Sequence, residues 1–311
     1  MATKAKQRTL YYRRAVWTGR RQNLQKYLID AHKHRGTTKQ RTFQYGDGEI
    51  EGINWKQSNN SFLFHITEYV PHQPTSLVPF PSAAKTDKTS EFSPPSSNHF
   101  LEGDIFCFLK NNHLLLCPSG AREAVAESYI QYMLRADGNG ALLTSFEITP
   151  IIDLDRYRYI RQHGVKRIEL NSSLYEATVD YEERRNIRQT LLKEFSDSFI
   201  SLFKNDPKSE LRDITDKENL SVKLIISYDK RGHGDVGWQR MIKAGSQLAR
   251  SDEDEGFKIV TGDDQAFSAD EIRIKEKVKI NSFGKSIDRE SAWEALEEYY
   301  EQLRSTGALQ Q

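Results

Sequence analysis

Residues 104–117 read DIFCFLKNNHLLLC. Two apolar runs meet at Asn111-Asn112, so the stretch predicts a pair of antiparallel strands joined across those two residues. Working outward, SFLFHITEY (61–69) is apolar enough for a half-buried strand, and TLYYRRAVW (9–17) is rich in aromatic and β-branched residues. Arg13 on one face of the latter and Arg14 on the other place it near an edge or surface. These segments predict a small antiparallel sheet as the core of the N-terminal half. Residues 71–98 hold six of the nine prolines. That stretch cannot pair regularly and is expected to loop out or stay disordered, as an insertion within a domain.

Helical periodicity fills the rest of this half. Leu24, Leu28 and Ala31 make an apolar stripe within Arg20–Arg35, with Tyr27 beside it and Lys26 and Lys33 opposite. Ser119 can cap a helix from Ala121 to about Ala136, with Val125, Tyr129, Ile130, Met133 and Leu134 on its buried face and Gly138 and Gly140 ending it.

The second half gives strands at Val165–Leu170, Val222–Tyr228, Phe257–Val260 and Ile272–Ile280, and helices at Tyr181–Phe203 and Val236–Ala249. The terminal helix, Asp288 to Leu303, buries Ala292, Trp293, Leu296, Tyr299, Tyr300 and Leu303 and turns Glu294, Glu297, Glu298 and Glu301 to water. Strands and helices do not alternate as β-α-β, which predicts an α+β class: two domains, 1–160 and 161–311, each a small mixed or antiparallel sheet packed with helices. At 311 residues the chain is long enough for two such domains.

A mean hydropathy of −0.71 and the lack of any run near the ~20 apolar residues a bilayer requires predict a cytoplasmic protein. Cys107 and Cys117 form no C-x-x-C pair and are expected as reduced, partly buried thiols. The eight histidines include no pair at i, i+4, so no metal site is assigned. Gly232-His233-Gly234-Asp235-Val236-Gly237 matches G-x-G-x-x-G, but Lys230 and Arg231 separate it from the preceding strand and no β-α-β frame surrounds it. Nucleophile elbows and phosphate loops are absent, so no catalytic residue and no cofactor are assigned.

Charge is the strongest functional signal. The net charge is +1, yet residues 1–44 carry twelve Lys/Arg against the single acid Asp30, +11, and residues 45–311 carry −10. Such crowding repels itself unless it is solvated or faces a polyanion. Arg13, Arg14, Arg20, Arg21, Lys26, Lys33, Arg35, Lys39 and Arg41 are therefore candidate nucleic-acid contacts, with Tyr11, Tyr12 and Trp17 among them. EIRIKEKVKI (271–280) adds Arg273, Lys275, Lys277 and Lys279 on one face of a strand, spaced about 6.6 Å apart. Were that strand beside the basic head, one anion track would result. The same residues also fit a head docked on the chain's own acids, including Asp252 to Glu255, or lysines that merely guard an edge strand.

The order of RRQNLQKYLIDAH (20–32), SFLF (61–64), EGD with an apolar strand (102–109), VKRIEL (165–170), VKLIISYDK (222–230), EIRIKEKVKINSFG (271–284) and DRESAWEALEEYYEQL (288–303) resembles the RexA family of phage-exclusion proteins over most of the chain. The resemblance implies a cytoplasmic homodimer that binds double-stranded DNA without sequence specificity. It also implies a sensor of phage nucleoprotein complexes that activates a membrane partner similar to RexB, in abortive infection. The insertion at 71–98, the glycines at 232–237 and the dense basic start depart from that family's pattern. The resemblance assigns no roles to individual residues. Two alternatives stay open: a metal-dependent nuclease drawing on Asp263, Asp264, Asp270, Glu271 and Lys275, and a protein-binding scaffold.

Overall fold

A computed structural model describes residues 4–18, 22–81, 83, 85–173, 221–227, 241 and 257–310. It contains two compact units, one made of Met1–Thr149 and Lys275–Gln311, the other of Pro150–Ile274. The expected division near residue 160 differs from this, because the chain returns to the first unit at Lys275 and carries the terminal helix with it. The expected helices at 181–203 and 236–249 lie outside the described residues.

In chain order the first unit contributes β1 (Ala5–Trp17), α1 (Leu24–His34), β2 (Thr42–Tyr45), β3 (Gly48–Ser58), β4 (Ser61–Tyr69), β5 (Thr75–Leu77) and β6 (Ser90–Phe92). It continues with β7 (Gly103–Lys110), β8 (His113–Ser119), α2 (Ala124–Ala136) and β9 (Phe146–Pro150). The second unit holds α3 (Leu154–His163), β10 (Val165–Ser173), β11 (Ser221–Ser227), β12 (Phe257–Thr261) and β13 (Ala266–Ser268), paired in the order β11-β10-β12-β13. The chain re-enters the first unit through β14 (Lys275–Phe283), β15 (Ser286–Ile287) and α4 (Arg289–Ser305).

The α+β class with two small helix-packed sheets is overturned. Nine strands of the first unit form one sheet, ordered β15-β14-β1-β8-β7-β4-β3-β2 with β9 also on β1, and strand dominates the fold. The two ends of the chain make this sheet, since β1 pairs antiparallel with β14 from Ala5↔Asn281 to Tyr11↔Lys275. β1 also pairs with β8, Tyr11↔Leu116 through Arg14↔His113, so it is an interior strand and not the edge strand its arginines predict. The hairpin read from 104–117 is present as β7 and β8, Ile105↔Pro118 through Lys110↔His113. The insertion at 71–98, expected to lack regular pairing, contains the β5–β6 ribbon.

Side chains alternate across the sheet, and both faces are covered. Tyr11, Ala15, Leu116, Cys107, Phe64 and Phe62 point to the face that buries Leu24, Leu28 and Ala31 of α1 and Val125, Tyr129, Ile130 and Met133 of α2. On the opposite face α4 lays its apolar stripe over β7 and β14, with Phe108 and Tyr300 rings 5.0 Å apart. Coverage on both sides explains why β7 is buried nearly throughout and shows no polar alternation. α2 starts at Ala124, three residues later than Ser119 capping requires; Ser119 instead ends β8.

A polar cluster fixes the α1–α2 side. His32 is 1% exposed; its Nδ1–H donates to the Leu28 carbonyl at 2.8 Å, and Nε2 accepts from the Tyr129 hydroxyl at 2.9 Å. Tyr129 reaches that position because Gly52 has no side chain: a Cβ there would lie 1.9 Å from the hydroxyl oxygen. Burial, aided by the Arg41 charge and opposed by the Leu28 hydrogen bond, pushes the His32 pKa from 6.5 down to about 4. The native state thus holds the neutral ring, and the unfolded chain takes up the proton first. Stability that is full above pH 6.5 is lost as pH falls toward 4, by on the order of 3 kcal/mol. Urea midpoints taken across that interval should fall in the parent and fall measurably less in His32→Gln.

Candidate nucleic-acid interface

The expected cations separate into buried and exposed sets. Arg13 is buried on β1 and donates through Nη2 to Glu123 at 2.7 Å and through Nε at 3.0 Å. Arg41, 4% exposed, donates to the carbonyls of Gly52 (2.9 Å) and Arg35 (2.7 Å). Arg35 donates to the carbonyls of Gln40 (2.9 Å) and Ala136 (2.8 Å) and lies over the Tyr132 ring. Each of these three guanidinium groups thus donates to acceptors within the first unit. Arg14 is half-buried on β1, while Lys26, Lys33 and Lys39 are exposed. On α1, Asp30 falls between Lys26 and Lys33 at helical spacing and offsets part of their charge. Arg20 and Arg21 lie outside the described residues.

The line of four cations on 271–280 is shortened to three. β14 begins at Lys275; Arg273 precedes it in the second unit, buried, in an isolated bridge with Ile152. Ile274 N–H and the Ile272 carbonyl bond to Ile151 and Asp153, so the backbone at 272–274 is committed there before β14 starts. Lys275, Lys277 and Lys279 do alternate onto one face, paired across to Tyr11, Thr9 and Gln7. Lys277 and Lys279 are exposed and Lys275 is half-buried.

Beside them the sheet carries an open groove of about 450 Å³ lined by Gln7, Arg8, Thr9, Tyr11, Pro118, Gly120 and Lys277. Among the described residues no carboxylate lines it. It offers an amide, a hydroxyl and a phenol ring, with Arg8 and Lys277 as its cations, and Lys275 and Lys279 lie two residues to either side of Lys277 along β14. The geometry suits a run of anionic groups following the strand, with hydrogen-bonding groups beneath and no shape that selects one small molecule. A second open groove, about 520 Å³, lies at the other end of the sheet between Gln22, Asn23, Lys26, Tyr27, Asn111 and Asn112.

Other polar clusters are structural in their geometry. Asp104, 2% exposed, accepts from His65 Nε2 at 3.0 Å and from the Ser286 hydroxyl at 2.7 and 2.6 Å. The carboxylate stands between serine and imidazole, so the serine has an acceptor but no histidine base, and the set ties β15 to β7 without activating a nucleophile. In the second unit Asp263 accepts from Tyr159 and Thr261, Asp264 from Lys166 at 2.5 Å, and Glu271 from the backbone and hydroxyl of Ser268 at 2.8 and 2.9 Å. These hydrogen bonds lower the Asp263 and Glu271 pKa values. Each carboxylate is thus turned to its own neighbour, and among the described residues no group of three His, Cys, Asp or Glu could hold a metal ion. The side chain of Asp270 and the glycines at 232–237 lie outside the described residues. Cys107 and Cys117 are buried free thiols, both with pKa raised by burial.

Sequence reading singled out the β14 lysines through their period of two, and Tyr11 among the basic residues, but not Gln7, Thr9 or Pro118. Nothing local marks them, since they join the lysines only through the pairing of the chain's two ends. Among the described residues no helix is long and apolar enough to cross a membrane. No protein-family model, curated protein or solved structure matches the chain.

Proposed function

We propose that this protein binds double-stranded DNA along the phosphate backbone, without reading bases, through the lysine face of β14 and the adjoining groove on β1. The observation that carries the reading is the placement of exposed Lys277 and Lys279 beside a polar groove free of carboxylates among the described residues. Lysine ammonium groups at regular spacing neutralise phosphates, and released counterions supply the affinity. The basic head contributes in a way different from its charge count: β1 is the strand on which the lysine strand is built.

A phage-exclusion role, as a cytoplasmic homodimer acting on a membrane partner similar to RexB, rests on the resemblance in segment order alone. The metal-dependent nuclease finds no support in the placement of Asp263, Asp264 and Glu271.

Fluorescence anisotropy on two unrelated duplexes tests the binding reading. With Lys277 and Lys279 on phosphates, log affinity falls against log salt with a slope of at least about −2, equally for both sequences. A flat salt response, a preference for one duplex, or no binding at low salt would reject it.

A further inference from the structure

Between β4 and β7 the chain leaves the sheet as an arm. β5 pairs only with β6, Thr75↔Phe92 through Leu77↔Ser90, and every residue of both strands is exposed. Just past β5, Val78 is 81% and Phe80 95% exposed. An aromatic ring left in water forgoes the roughly 2 kcal/mol that burial provides, and the sheet's own core lies within the same unit. Pro79 and Pro81 bracket Phe80; each fixes its own φ and biases the residue before it toward extended backbone, so the ring is presented with little freedom left to lose. Exposed Lys85 and Lys88 follow on the return limb, with exposed Asp87 between them offsetting part of their charge.

The root of the arm is firm and adjoins the lysine groove. Tyr69 and His99 rings stack at 4.7 Å, and the Glu102 N–H donates to the Glu68 carbonyl at 3.0 Å. Asp104 bridges Gly120, which lines the groove, and Gly103 packs so closely that a Cβ would lie 2.3 Å from the Ala121 nitrogen. Lys285 Nζ donates to the Leu101 carbonyl at 3.4 Å, joining the arm's return limb to the β14–β15 turn.

We infer that this arm is a wedge for the DNA duplex: Phe80 inserts between base pairs of the duplex lying on the β14–β1 face, while Lys85 and Lys88 meet its phosphates. The inference rests on the DNA-binding reading above. A base step offers what the tip can fill, a flat apolar slot bordered by anions. A phenyl ring has no hydrogen-bonding group, so insertion reads no base edge.

The test uses the full-length protein, a duplex carrying 2-aminopurine at a central step, and the same duplex with a fluorophore at each end. Binding should raise the 2-aminopurine signal and shorten the end-to-end distance. Phe80→Ala should abolish both changes, weaken affinity on the order of tenfold, and leave the salt slope in place, while Phe80→Trp restores the signal. Phe80 is exposed, so the variants keep the parent's fold, checked by circular dichroism. Duplex binding without a 2-aminopurine change, or a change that persists in Phe80→Ala, overturns the wedge and leaves backbone binding standing. Absence of any duplex binding by the parent overturns both. Phe80-dependent sedimentation with phosphatidylcholine–phosphatidylserine vesicles, with 2-aminopurine silent, assigns the tip to a lipid surface and overturns the wedge as well.

Discussion

The double variant Lys277→Glu, Lys279→Glu should bind unrelated duplexes about 100-fold more weakly than the parent at low salt, taking roughly tenfold for each lysine–phosphate pair removed. Its salt slope should shrink by about two, the number of phosphates no longer neutralised. The loss should be the same on every sequence, because a lysine on a phosphate carries no base information. Both side chains are exposed and lie opposite the neutral Gln7 and Thr9, so unfolding free energy should move by less than about 0.5 kcal/mol. Lys26→Glu with Lys33→Glu provides the comparison. Those lysines are on α1, where Asp30 already offsets part of their charge, and the pair should cost less than about tenfold. Anisotropy titrations on the two double variants check both statements.

Arg13→Ala should do the reverse, destabilising the fold while leaving DNA affinity intact. The Arg13 and Glu123 side chains are 6% and 12% exposed and joined at 2.7 Å. Removing the guanidinium leaves a carboxylate in a poorly solvated place at the start of α2, a change that costs about 3 kcal/mol or more. Urea unfolding reads that loss. Binding measured at protein concentrations corrected for the folded fraction should match the parent within about twofold. A stable Arg13→Ala protein that has lost DNA affinity would return Arg13 to the binding surface.

Local structure was legible in the sequence wherever a repeat of burial fell within one element. The hairpin about Asn111-Asn112 is present, and Ala292, Trp293, Leu296, Tyr299, Tyr300 and Leu303 are all buried on α4, as are Val125, Tyr129, Ile130, Met133 and Leu134 on α2. The nine-stranded sheet was not legible, because the β1–β14 pairing that brings the chain's two ends together joins residues more than two hundred positions apart and leaves no periodic trace in either strand. β2 and β3 were missed for a different reason. GEIEGINWKQS (48–58) is polar and holds Gly52, which weakens a strand pattern, yet that glycine is what admits the Tyr129 hydroxyl.

The candidate binding surface was legible in part. Counting cations treats every arginine alike, whereas Arg13, Arg35 and Arg41 each meet acceptors inside the first unit. Arg13 had a readable sign in its position on β1 between Tyr11 and Ala15, an inward-facing alternation. Lys277 and Lys279 alternate instead with Val278 and Ile280, the pattern of a strand with one wet face.

Lysine acetylation, read by mass spectrometry with and without a duplex, tests the central claim most directly. At low salt Lys277 and Lys279 should be protected when DNA is present, more strongly than Lys26, Lys33 or Lys39, and the protection should disappear at high salt. Unchanged labelling of Lys277 and Lys279 under conditions where the duplex is bound would contradict the account.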